Sequence, residues 1–195
     1  MNTLCFRMIM LLAFGCICSG CASNSDTAQV SMDRYAEALH QTDPSVLQML
    51  TQGSPRERQA VQKFIAIFSV YSEDNIRQHV RDLYADDAYF RDPFREARGV
   101  DEIELYFLSL TEGAQELTFE VDDVAVHNGN YYFRWIMHLT LKRNPQKEID
   151  GIGISHVRFN SEGKVVFQQD YWDSAMIYRE FPVIGPLIRW IEKRL

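Results

Sequence analysis

Hydrophobic positions along the chain change their spacing twice, and each change marks a different kind of element. Met8–Phe14 is an unbroken apolar run. From Ser54 onward apolar residues recur three or four apart: Val61, Phe64, Ile65 and Phe68, then Ile76, Val80 and Leu83, then Ile103, Tyr106, Phe107 and Leu110. This is the spacing of helices that bury one face. Ser54-Pro55 reads as an N-cap followed by proline at the first helical position, Ser72-Glu73-Asp74 opens a second helix, and Gly99–Leu110 makes a third. Between the second and third, Tyr84–Pro93 predicts a turn into a short strand that Pro93 ends. Upstream, Ser31–His40 and Pro44–Leu50 predict short helices behind a polar tether at residues 22–30.

From Leu117 the period falls to two. Leu117–Val126 alternates, and His127-Asn128-Gly129-Asn130 carries the asparagine-glycine signature of a tight hairpin. Tyr131–Lys142, Glu148–Phe159 and Lys164–Trp172 follow as strands, the last two joined through Asn160-Ser161-Glu162-Gly163. Helices first and a strand meander afterwards predict an α+β fold, with the helices laid on one face of a curved, mainly antiparallel sheet. Such a sheet has a solvated face and an apolar concave face, and a cavity is expected between the latter and the helices.

Charge and cysteine usage narrow the function classes. The net charge is −7, which leaves no electrostatic footprint for nucleic acid. All four cysteines fall in the first 21 residues, so neither a disulfide framework nor a cysteine metal site is expected in the folded part. The five histidines show no metal-ligand spacing, and no metal or cofactor is expected. Residues 1–20 hold one charge, Arg7, ahead of the apolar run and small residues, which is the layout of an export signal. The apolar stretch Met8–Cys18 is about half of the roughly 20 residues a membrane-spanning helix needs.

Ile17-Cys18-Ser19-Gly20-Cys21-Ala22-Ser23 resembles a bacterial lipoprotein signal. The resemblance implies cleavage before Cys21 and lipidation of its thiol, with each buried methylene contributing about 0.8 kcal/mol to anchoring. It also implies a place in the cell envelope, on the periplasmic side, at the outer membrane if the source is Gram-negative. The expected layout is a signal at 1–20, a lipidated Cys21 with tether and short helices to 53, a folded domain at 54–176, and an amphipathic C-terminal segment at 177–195.

The element order, together with "YADDAYFRDP", "RGVDEIELYF" and "ISHVRFNSEGKVV", resembles the SnoaL-like branch of the nuclear transport factor 2-like superfamily, which includes ketosteroid isomerase and polyketide cyclases. The resemblance implies a cone-shaped fold over about residues 58–176, and homodimerisation through the outer sheet face. It places Asp92, in "RDP", where the isomerase has its base. The isomerase's two oxyanion donors, a tyrosine and a protonated aspartate, fall on Phe64 and Ser155, so both strong donors are missing. Steroid isomerisation by that same route is therefore not expected.

The alternation of the last strand supplies a replacement. If Ser155 points inward, the hairpin register turns Val166, Gln168, Asp170 and Trp172 inward as well. Asp92 and Asp170 would then face each other across an aromatic cavity containing Phe64 and Trp135. Two carboxylates in apolar surroundings resist joint ionisation, so one is expected neutral near pH 7. Asp173 takes Asp170's place if the register slips by one. Gly151 and Gly153 either leave space at the cavity mouth or mark a bulge. Two classes stay open for a hydrophobic small-molecule ligand. One is a cofactor-free isomerase, cyclase or hydrolase with Asp92 as base and Asp170 as acid. The other is a binding or scaffold module whose carboxylates are incidental. For Phe181–Leu195, a helix packing over the fold or against a second subunit is the favoured reading and an interfacial helix the alternative.

Overall fold

A computed structural model describes residues 21–195, with side chains from residue 28 onward. The expected export signal at residues 1–20 and the thiol of Cys21 lie outside what is described. Helix α1 spans Cys21–Gln41 without a break. Residues 22–30, expected as a tether, are therefore helical. No glycine or proline interrupts positions 22–43, and Gln29–Asp33 and Gln41–Glu37 side-chain bonds of 2.8 Å link successive turns.

Thr42–Leu195 forms a separate compact unit. The helix expected at Pro44–Leu50 is instead a set of turns. Ser45 donates its N–H to the Asp43 carboxylate (2.9 Å), and Val46 and Leu47 donate theirs to the Asp43 carbonyl. That local side-chain bonding competes with a helical start. Met49 then pairs with Asn160 as an isolated bridge.

Helix α2 (Pro55–Ser69) begins where Ser54 Oγ accepts the Glu57 N–H at 3.1 Å, and α3 (Glu73–Leu83) where Ser72 Oγ accepts that of Asn75. Ile76, Val80 and Leu83 are buried, as their spacing predicts. Strand β1 (Tyr84–Arg91) starts at the residue after α3, where a turn is expected; Tyr84 is the helix cap and is already extended. The extra residues Ala85–Ala88 are taken up by an irregularity in the β1–β6 pairing. A short β2 (Glu96–Arg98), unmarked by any alternation, precedes α4 (Val100–Gly113).

Strands β3 (Ala114–His127), β4 (Asn130–Leu141), β5 (Asn144–Phe159) and β6 (Val165–Trp172) form an antiparallel meander, and β1 joins β6 in parallel. The sheet order is β2-β1-β6-β5-β4-β3. The β3–β4 hairpin turns on Asn128 (φ 47°) and Gly129 (φ 75°), both left-handed as a type I′ turn requires. A bulge between Val121 and Asp123 shifts the alternation of β3, so that Leu117, Phe119 and Val121 face inward before it and Val124 and Val126 after it.

The inward face of the sheet packs on α2, α3 and α4. Phe64 of α2 meets Phe133 of β4 at 4.4 Å between ring centres and Phe159 of β5 at 6.3 Å. After β6 come one turn of helix, α5 (Ala175–Tyr178), and α6 (Ile184–Glu192). The C-terminal segment does not pack over the fold, which leaves a second subunit or an interface as its readings: of α6 only Gly185 is buried, Leu187 and Trp190 expose 56% and 52% of their surface, and Val183 just ahead exposes 85%. Among the described residues no helix is long and apolar enough to cross a membrane.

Candidate active site

The sheet's inward face leaves a cavity of about 240 Å³ between α4 and strands β3, β4 and β6. Its walls are aromatic and aliphatic, and two carboxylates, Asp92 and Asp170, reach it from different elements. Of the described residues lining it, none is lysine, arginine or histidine.

Asp92 follows the last residue of β1, where Pro93 stops the strand. Its Oδ1 accepts backbone N–H bonds from Phe94 (2.8 Å) and Arg95 (2.7 Å), and its Oδ2 accepts the Tyr106 hydroxyl from α4 at 2.6 Å. The first two bonds are the turn-capping role that aspartate plays before proline. The third ties the carboxylate to the cavity wall. Burial pushes Asp92 above the ordinary carboxyl range, opposed by the Tyr106 hydroxyl and the two backbone donors.

Asp170 stands opposite Ser155 in the β5–β6 register, with Val157 opposite Gln168 and Gly153 opposite Trp172. Directly opposed residues share a face, so Ser155, Gln168, Asp170 and Trp172 point inward together, and the register does not slip to Asp173. Asp173 instead accepts the Ala175 N–H at 2.9 Å, ahead of α5. Gln168 Nε2 donates to both Asp170 oxygens (2.9 and 3.1 Å), while its Oε1 accepts the buried Tyr84 hydroxyl. Trp135 Nε1 donates to Ser155 Oγ at 2.9 Å, and the Ser155 hydroxyl donates onward to Asp170. Two donor chains thus end on one carboxylate. Burial nonetheless dominates and holds Asp170 at a pKa of about 7, with Ser155 and Gln168 pulling it down and the Asp92 charge pushing it up.

Glycine makes this arrangement possible. Gly153 lies opposite Trp135, and a Cβ there would sit 2.2 Å from the indole ring. The ring crosses β5 over that bare backbone and so reaches Ser155. At Gly151 a Cβ would meet the Met176 methyl at 2.5 Å. Neither glycine leaves open space or marks a bulge, the two readings open from sequence: Trp135 and Met176 fill the room, and the β4–β5 register is regular there.

Asp92, Asp170, Trp135 and Trp172 line the main cavity, whereas Phe64, Ser155 and Gln168 line a neighbouring recess of about 30 Å³ that has Trp135 and Asp170 in common with it. Phe64 is also part of the solid core. Sequence reasoning missed Tyr71, whose hydroxyl donates to the Phe107 carbonyl at 3.2 Å, and the role of Tyr106. Both tyrosine hydroxyls are pushed well up, by burial first and then by the Asp92 charge, so both remain protonated donors. A tyrosine on the inward face of a helix needs a partner for its hydroxyl, and that signal could have linked Tyr106 to the nearest acid. His156 lies on the other face, bonded to Asn130 (2.7 Å), with a pKa lowered to about 4 by burial and by the neighbouring Arg158. His138, Glu148 and Asp150 bring possible ligand atoms within 4.8 Å on the exposed face, a cluster that His138–carboxylate pairing accounts for.

The sequence matches the family model of the SnoaL-like domain over residues 61–168, more than half of the chain. The chain belongs to the SnoaL-like domain family. No curated protein matches it significantly. Solved structures share the nuclear transport factor 2-like fold. A candidate SnoaL-like polyketide cyclase from Jannaschia sp. CCS1 is 16% identical, with TM-score 0.57, covering 69% of this chain and 97% of its own. An NTF2-like protein of unknown function from Burkholderia pseudomallei K96243 is 15% identical, also with TM-score 0.57, covering 67% and 100%. A candidate isomerase from Bacillus subtilis is 17% identical, with TM-score 0.51, covering 63% and 89%. At these identities the likeness carries the fold alone.

Proposed function

We propose that the cavity binds a hydrophobic small molecule with an acidic C–H beside a carbonyl and moves a proton on it without a cofactor. The observation that supports this most is the pair of carboxylates in otherwise apolar walls, one of them, Asp170, poised at a pKa of about 7. Catalytic groups work best when their pKa lies near the operating pH. Asp92, whose three donors oppose the upward push of burial, serves as base. The substrate C–H bond breaks, its proton passes to Asp92, and the electron pair moves onto the carbonyl oxygen. Protonated Asp170 delivers its proton to that oxygen. Where the substrate is a β,γ-unsaturated ketone, the Asp92 proton returns to the γ-carbon of the dienol, the double bond shifts into conjugation as the carbonyl re-forms, and the hydroxyl proton goes back to Asp170, which completes an isomerisation and restores the Asp92 carboxylate and the Asp170 acid.

Relatives of this fold named as isomerase or polyketide cyclase candidates fit the same class of chemistry. The binding-module reading keeps one specific support: two of the three bonds to Asp92 serve the turn before Pro93. Deuterium exchange from solvent into the α-carbon of a bicyclic aromatic ketone, 2-tetralone, followed by NMR, tests the choice. Catalysed exchange that is lost in Asp92→Asn and in Asp170→Asn while tryptophan quenching still reports binding supports the enzyme. Binding with exchange unchanged in both variants leaves the module.

The lipid anchor at Cys21 and the envelope location belong to this proposal too, as does a homodimer. Exposed Ile152, Ile154, Tyr132 and Tyr171 on the outward sheet face support the last. Metabolic labelling with a radioactive fatty acid should mark the wild type and not Cys21→Ser. Equal labelling of both would remove the anchor from the account.

A further inference from the structure

Helix α6 is amphipathic in sequence and has almost nothing to bury against. Ile184, Leu187, Trp190 and Ile191 are all exposed, with Val183 and Phe181 exposed just ahead of them. It is held to the fold by polar contacts at its ends. Arg179 pairs with Glu192, and Arg189 donates to the Arg179 carbonyl at 2.9 Å. Gly185 lets the two segments touch, since a Cβ there would collide with that carbonyl. The helix is thereby fixed in place while its apolar side stays open, which differs from a frayed end that has lost its packing.

Two further observations say what covers it. First, the charge is of the opposite sign to the rest of the molecule. In a chain of net charge −7, the segment 189–194 carries Arg189, Lys193 and Arg194 against Glu192 alone. Arg194 lies over the Trp190 ring at 3.7 Å, so a cation and an indole are presented side by side. Tryptophan with flanking cations is the composition that settles at a lipid headgroup layer, and cations near an anionic bilayer gain further attraction. Second, aromatic contacts join α5, the turn of helix just before α6, to the cavity wall. Phe94 and Tyr178, both partly exposed, stack edge to face at 5.5 Å, Phe94 meets Trp172 at 5.0 Å, and Ile177 of α5 lines the cavity itself.

We propose that α6, with Phe181 and Val183, is a docking surface for an anionic phospholipid bilayer, and that it sets the aromatic rim of the cavity beside the headgroups. Contact through α6 stands independently of catalysis. Only the corollary that the ligand enters from the bilayer rests on the proposed function.

The test uses the full chain carrying Cys21→Ser, so that no acyl chain contributes, and flotation with vesicles of phosphatidylglycerol and phosphatidylethanolamine. Binding is expected, with a blue shift of tryptophan emission. Pure phosphatidylcholine vesicles should bind much more weakly. Leu187→Asp with Trp190→Asp should abolish binding, and Lys193→Glu with Arg194→Glu should weaken it by about fivefold or more for each cation lost. All four positions are exposed, so the fold is expected to survive, and circular dichroism checks that it does. Absence of binding to either vesicle, equal binding by the Asp variant, or a stable dimer in solution that the Asp variant splits would overturn the proposal. Because vesicle binding is read without substrate, a failed exchange assay leaves this result intact, and a failed flotation leaves the acid/base reading intact.

Discussion

One concave sheet face serves two opposite purposes at its two ends. Toward the β3–β4 hairpin, Phe64, Phe133, Tyr131 and Phe159 fill the space between α2 and the sheet, and Tyr131 closes it by donating to the buried Glu57 at 2.7 Å. Toward α4 and the end of β6, rings of the same kind stand apart and leave about 240 Å³ with two carboxylates on its wall. Side-chain chemistry does not separate the two ends, since both are aromatic. What differs is what lies opposite the sheet. At the closed end α2 inserts Phe64 from above. At the open end α4 presents Tyr106, which bends its hydroxyl toward Asp92 rather than filling the gap.

Substitutions at the two ends should therefore separate stability from chemistry. The largest effect is expected at the open end: Asp92→Asn or Asp170→Asn should lower catalysed exchange by roughly 10²–10⁴, with ligand affinity nearly kept. At the closed end Phe64→Ala should cost about 3–5 kcal/mol of stability in urea unfolding, while Phe119→Ala, at the cavity wall, should cost less and weaken ligand binding. A stability loss at Phe119 equal to that at Phe64 would mean that the cavity is not open. Gly153→Ala joins the two ends. It should push the Trp135 ring off β5, break its bond to Ser155, and cost about 1–3 kcal/mol, seen as a changed tryptophan emission.

A further effect is on the pH profile of folding. Asp170 has a folded pKa of about 7, against about 3.9 in an unfolded chain. Between those values the folded state holds a proton that the unfolded state has released, so stability falls as pH rises from about 4 to about 7 and changes little beyond. Asp92, also raised, acts in the same sense at the acidic end of that window. Asp170→Asn should flatten this slope and be the more stable protein at pH 8. An unchanged slope would move the titration to another group.

Much of this was legible in the sequence because it was local. Ser54, Ser72 and the Asn128-Gly129 turn act through bonds and dihedrals within a few residues, and the β5–β6 alternation offered the inward set Ser155, Gln168 and Asp170 with Asp173 as the rival if the register slipped, which only the pairing itself decided. The illegible parts depend on distant partners. Gly151 and Gly153 gave no hint that Met176 and Trp135 would fill their space. Tyr106 read as one more core residue of a helix, because its bond to Asp92 spans a strand end, a turn and a helix. The exposure of α6 could not be read from its amphipathic pattern, which looks the same whether the helix packs on protein or on lipid.

Titration of the Asp170 side chain by carbon-13 NMR, in the wild type and in Asp92→Asn, tests the central claim most directly. The account predicts a midpoint near pH 7 that moves lower once the neighbouring charge is removed. A midpoint in the ordinary carboxyl range, unmoved by that substitution, would contradict it.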